Sequence, residues 1–294
     1  MSNSIAYTEA YLNLLDQIYA ANTATAILEM SKNAVRFSGE NSKTVYMQEL
    51  TVEGLGTYSR SAGYVSGDAD VAWTAYTLAQ DRGKKFILDA LDKEQALIEI
   101  MQIAAEFQRT KVTSEVDAYR FEKICTLCSL DVSADLTYDT AIEALDTGIE
   151  TLDDAEVPVD SRVLFVSNNY YKLMKQSGEW FNVRTAKERI IDREIETFDG
   201  MRIIRVPKNR FYNNFDFSAT DGFTIASGAK QINFMIADKN AIAAVMKYEN
   251  PKIVDPKYNS DADAWVYGYR CFHDLFIPTN KKSGVYIHAE STTY

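Results

Sequence analysis

Lys43-Thr-Val-Tyr-Met-Gln-Glu-Leu-Thr-Val52, then Gly54-Leu-Gly-Thr-Tyr58-Ser-Arg60-Ser-Ala-Gly63-Tyr64-Val-Ser-Gly-Asp68, then Val71-Ala-Trp73-Thr-Ala-Tyr76-Thr-Leu78: this run decides how the 294-residue chain folds. The first and last pieces alternate in the manner of strands with one covered face. Between them lie small and turn-forming residues, too few of them apolar to build a core. Two arms of about 20 residues make a ribbon reaching on the order of 60 Å at ~3.3 Å per residue. A loop of this length inside a folded chain is functional or disordered.

Downstream of the ribbon the pattern turns helical. Leu91 to Arg109 carries Leu97, Ile98, Met101, Ile103 and Phe107, and Val112 to Leu130 places Phe121, Ile124, Cys125 and Cys128 on one stripe. A third helix is predicted over Tyr138 to Leu152, with Ile142, Leu145, Ile149 and Leu152 on one face and Asp153, Asp154 and Pro158 closing it. Upstream, Ala6 to Ala20 is amphipathic through Tyr11, Leu14, Leu15 and Tyr19. All five prolines (158, 207, 251, 256 and 278) lie in the second half, which turns often while the first half runs long. That second half reads as strands: Arg162–Ser167, with Asn168 capping a short helix over 169–175, then Met201–Val206 after the turn residue Gly200, Ile232–Ala237, Trp265–Ile277 and Val285–Ala289. Helices mix with strands without strict alternation, so the fold class is α+β.

Composition narrows the function. A formal net charge of −11 without a dense Lys/Arg cluster makes a poor grip for phosphate backbones. The most basic stretch, Arg184-Thr-Ala-Lys187-Glu-Arg189, is followed by Asp192 and Glu194 and reads as a solvated mixed-charge loop. No apolar run approaches the ~18 residues of a membrane span, and Met1-Ser-Asn-Ser-Ile lacks the basic and apolar regions of a secretory signal. Three cysteines, an odd number, argue against a disulfide framework and for a reducing compartment such as a bacterial cytoplasm.

The order of elements (helical arm, long hairpin, long helix, mixed globular region, closing strands) resembles the major capsid proteins of tailed bacteriophages that share the Hong Kong 97 fold. Gly63-Tyr-Val-Ser-Gly-Asp-Ala-Asp-Val-Ala-Trp-Thr-Ala-Tyr-Thr-Leu-Ala-Gln-Asp-Arg82-Gly-Lys-Lys-Phe86 is similar to the descending arm of that family's E-loop, with the acidic cluster Asp89-Ala-Leu-Asp-Lys-Glu94 behind it. Arg162–Ser167 and Gly200–Pro207 are similar to the axial-domain sheet, and the closing strands to the peripheral domain. The resemblance implies an N-terminal arm over 1–42 and an extended hairpin over 43–88. It implies a peripheral domain with a spine helix over 89–137 and 244–294, and an axial domain over 138–243. It further implies a protein of the virion, assembled in the host cytoplasm, whose main partner is itself in hexamers and pentamers. Packaged DNA would be faced without sequence-specific binding. Some members of the family carry an internal scaffold segment that is later removed. Only about 40 residues precede the first hairpin strand here, so a separate scaffolding protein, and a portal, are the expected further partners. An encapsulin-type nanocompartment shell on the same fold and a soluble α+β enzyme are the alternatives.

No catalytic, cofactor or metal residue is expected. Cys125-Thr-Leu-Cys128 lacks a second ligand pair, and it sits on an apolar stripe, where free cysteine acts as a small buried hydrophobe. His273 and His288 have no nucleophile near them in sequence, and His273 and Asp274 should point apart on a strand. The glycines at 54, 56, 63 and 67 lack the Gly-Lys-Ser/Thr ending of a phosphate loop. Asp68 and Asp70, and Asp261 and Asp263, are acidic pairs that read as turn residues and match no calcium loop. The family's covalent cross-link needs a lysine near the hairpin tip, whereas none occurs between Lys43 and Lys84. Cohesion is therefore expected from noncovalent overlap, with Tyr58, Tyr64, Trp73 and Tyr76 as anchors and Arg60 pairing a neighbour's carboxylate.

Overall fold

The computed structural model describes residues 23–29, 36–37, 43–61, 63–89, 96–176, 197–218, 222–260 and 262–294. The helix expected over Ala6–Ala20, the stretch Arg184–Arg189 and Asp261 lie outside them. After a 3-10 turn at Ala24–Leu28 come β1 (Arg36–Phe37), β2 (Thr44–Val52), β3 (Ala69–Thr77) and β4 (Gln80–Asp89). One helical run then extends from 96 to 127: α1 (Ala96–Phe107), a π turn (Gln108–Val112) and α2 (Thr113–Leu127). Next follow β5 (Leu130–Ser133), α3 (Ala141–Asp154), β6 (Arg162–Ser167) and α4 (Asn168–Gln176). Four short strands succeed them: β7 (Thr197–Phe198), β8 (Met201–Val206), β9 (Phe215–Asp216) and β10 (Thr224–Ile225). The chain closes with β11 (Lys230–Asp238), β12 (Ala243–Val254), β13 (Ala264–Phe276) and β14 (Val285–Thr293).

The centre is a six-stranded mixed sheet, ordered β5-β14-β11-β6-β8-β7. Its middle strands are buried on both faces, as covered sheets require. Alternation sorts their side chains. Val163, Phe165, Met235, Ala237 and Ile287 face a core completed by Phe121 and Ile124 of α2, Leu28, and Leu275. Leu164, Val166, Phe234 and Ile236 face a second core under α3 and α4. α3 comes so close to the sheet that a Cβ on Gly148 would meet the Tyr286 ring at 2.8 Å; only glycine admits that approach. The helix ends in left-handed backbone at Glu156, φ 56°, where the Val157 N–H bonds the Leu152 carbonyl. A second sheet, β12-β13-β4, packs against α1 and the π turn through Tyr267, Tyr269, Cys271, Ile100 and Ala104.

The α+β class and the long strands match the sequence reading; four details differ. The two helices predicted on either side of residue 110 are one run, because no proline or glycine interrupts it; the π turn absorbs the phase difference, and the Thr113 hydroxyl donates to the Gln108 carbonyl at 3.0 Å. The cap of α4 is Ser167, not Asn168: its Oγ accepts the Tyr170 N–H at 3.1 Å. The segment expected as one descending arm, 63–86, is two strands. β3 pairs with β2, whereas β4 leaves the ribbon and pairs with β13 over ten residue pairs, Ala264↔Asp89 to His273↔Gln80. The closing strands also part, since β13 joins the three-stranded sheet while β14 returns to the six-stranded one beside β11 and β5.

Candidate assembly surface

The hairpin β2–β3 is rooted by a switch of partners at residues 78 and 79. The Leu78 N–H bonds the Lys43 carbonyl at 2.9 Å and closes the ladder. The next N–H, that of Ala79, turns to the Asp274 carboxylate at 2.8 Å. Asp274 is buried on β13 and also accepts the Tyr119 hydroxyl at 2.8 Å and the Leu275 N–H at 2.8 Å, with Lys123 at 3.8 Å. One carboxylate thus ties hairpin, helix and sheet together, and low dielectric makes its donors strong.

From this root the ladder runs nine residues, Thr44↔Thr77 to Val52↔Ala69. Period-two alternation gives it two faces. Val45, Met47 and Tyr76 lie on one, and near the root they pack on Ala243, Val245, Phe272 and Phe276 of the chain's own body. Tyr76 stacks on Phe276 at 5.0 Å and donates to Glu49 at 2.7 Å; burial, helped by Glu49, pushes its hydroxyl up to about 12. The opposite face holds Leu50, Val52, Val71 and Trp73, which are 57%, 65%, 49% and 40% exposed. Leu50 stands directly across from Val71, so the stripe is continuous.

Beyond the ladder the loop is organised. The Glu53 and Asp68 backbones bond at 3.2 Å, Ser59 and Gly63 exchange backbone bonds, and Tyr58 lies against Tyr64 at 5.2 Å. A Cβ on Gly56 would sit 2.9 Å from the Val65 Cβ, so that pair also requires a glycine. Tyr58, Arg60 and Tyr64 are exposed at the tip, with Leu55 and Val65. Of the sixteen exposed large apolar side chains among the described residues, eight lie between 50 and 73. Such a patch marks an interaction site in a soluble chain.

Of the residues singled out from sequence, Tyr58, Arg60, Tyr64 and Trp73 stand on this outward part, while Tyr76 sits against the chain's own Phe276. Leu50, Val52, Leu55, Val65 and Val71 were not foreseen. The available signal was that Tyr46, Leu50 and Val52 make the second phase of β2 as apolar as the first.

The body adds a second unforeseen cluster. Asp117 on α2, fully buried, accepts the Ala24 and Thr25 N–H groups at 3.1 Å each, the Thr25 hydroxyl at 2.7 Å and Arg210 at 3.2 Å. Arg120, also fully buried, donates to the Thr25 Oγ1 at 3.0 Å and to Glu29 at 2.8 Å. This network fixes the segment entering the fold.

The remaining candidates sit in packing or turn positions. Cys125 and Cys128 pack beside the main core, and burial pushes both thiols up, that of Cys128 to about 11. A cleft of about 1300 Å³ beside α1 and β4 is lined by Phe86, Phe107 and Tyr269, with Cys271 and His273 at its floor. Burial raises the Cys271 thiol to about 12 and lowers His273 to about 3, which favours the neutral form of each. His273 and Asp274, expected to point apart, both reach Tyr119: the imidazole lies 5.4 Å from its ring and the carboxylate takes its hydroxyl. His288 is stacked on Phe234 at 5.1 Å and bonded to Ser133 at 2.7 Å. Asp68 takes part in the hairpin turn through its N–H, bonded to Glu53 at 3.1 Å. Among the described residues no group of three metal-ligating side chains gathers, and no helix is long and apolar enough to cross a membrane.

No family model matches the chain, and no curated protein does. Solved structures share its fold. A chain of Mycobacterium phage Che8 aligns at TM-score 0.60 and 15% identity over 85% of both chains. A chain from the asymmetric unit of the bacteriophage PhiM1 mature capsid aligns at TM-score 0.62 and 10% identity, over 85% of this chain and 83% of that one. The virus-like particle of Pyrococcus furiosus aligns at TM-score 0.53 and 11% identity, over 93% and 95%. At such identities the likeness is one of fold.

Proposed function

We propose that this chain is the major capsid protein of a tailed bacteriophage, a structural subunit of the virion whose copies overlap noncovalently through the β2–β3 hairpin. The observation that carries the reading is the exposed apolar stripe of Leu50, Val52, Val71 and Trp73, continued by Tyr58 and Tyr64, on a ribbon rooted by buried contacts at one end only. A monomer gains nothing from such a stripe. Since these side chains are already about half covered, a neighbour that buries the rest gains roughly half of the ~1.5–3 kcal/mol that full burial of each would give. The fold shared with phage capsid chains supports the same conclusion, and the absence of a lysine between 43 and 84 supports cohesion without covalent links. In this reading the helical run 96–127 is the spine, the sheet β12-β13-β4 beside it is peripheral, and the six-stranded sheet with α3 and α4 is axial. Arg60 at the tip pairs with a neighbour's carboxylate. A scaffolding protein and a portal are the further partners, and the acidic chain faces packaged DNA without gripping it.

Hydrogen exchange tests the role of the ribbon. Amides 50–73 should exchange rapidly in dissociated subunits and become strongly protected in assembled particles. Equal protection in both states would sink the overlap.

A further inference from the structure

The charge of this chain is unevenly placed. Residues 124–161 contain ten carboxylates (Asp131, Asp135, Asp139, Glu143, Asp146, Glu150, Asp153, Asp154, Glu156 and Asp160) and no lysine or arginine. They supply −10 of the formal −11, leaving −1 for the other 256 residues. Through α3 and the turn before it the carboxylates recur at spacings of three and four: 139, 143, 146, 150, then 153 and 154. Like charges so spaced are neighbours and destabilise a helix, and Asp153 and Asp154 also sit in its last turn, where the helix dipole disfavours anions. Within the chain Arg162 answers Asp153 at 2.7 Å. Glu143 and Glu150 remain exposed on the face away from the core.

The next helix is the opposite. α4 has Lys172 and Lys175 and no carboxylate. The Lys175 ammonium lies 4.4 Å from the Tyr171 ring centre, and the Arg205 guanidinium of β8 lies 5.1 Å from the same ring, so one aromatic holds two cations in place. Both helices cover one face of the six-stranded sheet. α3 lies over β14 and α4 over β6 and β8, toward opposite edges of the order β5-β14-β11-β6-β8-β7. The layer is acidic on one side and basic on the other.

A face whose like charges weaken its own helix breaks a local rule, and such exceptions concentrate at functional surfaces. We infer that the acidic face of α3 docks against the basic α4–β8 face of a second copy of this chain, head to tail, and so forms the ring contact of the capsomer. This rests on the shell reading above. Two different, complementary patches on one chain make a heterologous contact, which builds a ring where its rotation closes. Charge complementarity fixes partner and register there more than it adds affinity.

Three chains test it: Glu143→Lys with Glu150→Lys, Lys172→Glu with Lys175→Glu, and all four changes together. Each pair leaves only like signs at the four substituted positions, so particle yield at low salt should fall at least tenfold while the thermal melt of the dissociated subunit does not fall. The fourfold chain exchanges the signs at those four positions and, if they meet across the contact, should recover to within about threefold of the unaltered yield. An equimolar mixture of the two paired variants should form six-membered rings or open sheets, in which the two chains can alternate, but no closed shell, because a five-membered ring cannot alternate. The inference is overturned if either paired variant assembles like the unaltered chain, which would leave these faces to a different partner. It is equally overturned if the fourfold chain stays as defective as the pairs. Failure of the unaltered chain to form any particle would instead refute the shell reading itself.

Discussion

Replacing Leu50, Tyr58, Tyr64 and Trp73 together by serine is expected to leave a folded subunit that no longer builds particles. None of the four belongs to the buried cores; the residues that hold the hairpin to the body are Val45, Met47, Tyr76 and Leu78. Exposed substitutions of this kind usually change folding stability by less than about 0.5 kcal/mol each. At an interface the same side chains act differently: buried aromatic anchors cost ~2 kcal/mol or more when truncated, about thirtyfold in affinity. A closed shell repeats the contact in every subunit, so the losses compound. Sedimentation of the variant should show monomers with an unchanged melt. Particles forming at the unaltered yield would show that the stripe is not the overlapping surface.

The second large effect concerns the body. Asp117→Ala should lower the unfolding free energy of the dissociated subunit by about 3–5 kcal/mol, because it strands Arg210 and three donors of residues 24–25 without their acceptor in a dry interior. That is a large share of the ~5–15 kcal/mol typical of a folded chain. Asp81→Ala is the control. Its partner Arg270 is 61% exposed, and pairs of that kind contribute at most about 1 kcal/mol. Denaturant melts of the two variants should differ severalfold in ΔΔG; equal, small losses would mean that the Asp117 network contributes little.

The contrast between these carboxylates shows where the sequence stops being legible. Arg162–Ser167 and Ile232–Ala237 could be read as strands because continuous apolar runs have one stable environment, a sheet covered on both sides. The α2 stripe could be read from its 3.6-residue period; that of α1 could be read only in part, since Ile103, counted on it, is exposed while Ile100 and Ala104 face the core. Asp117 could not: on an amphipathic helix a carboxylate resembles its solvated neighbours until its partners are known, and Thr25 stands 92 residues away. Asp274 is similar, its Ala79 partner being 195 residues distant. The division of β13 and β14 between two sheets escaped for a related reason, since strand pairing is a nonlocal choice between strands of similar pattern. The hairpin was legible in outline because it lacks what a core needs. Which of its faces stays open was not, because both phases of β2 are apolar and only the packing of Val45 and Met47 on Phe272 and Phe276 decides between them.

The account rests on one claim, that copies of this chain cover one another's hairpins in a closed shell. Cryo-electron microscopy of the expressed chain, alone and with the proposed scaffolding protein, tests it most directly. The expected map shows closed particles with density for a neighbouring subunit against Leu50, Val52, Val71 and Trp73. Subunits that remain monomeric at every concentration, or particles in which that stripe faces solvent, would contradict it.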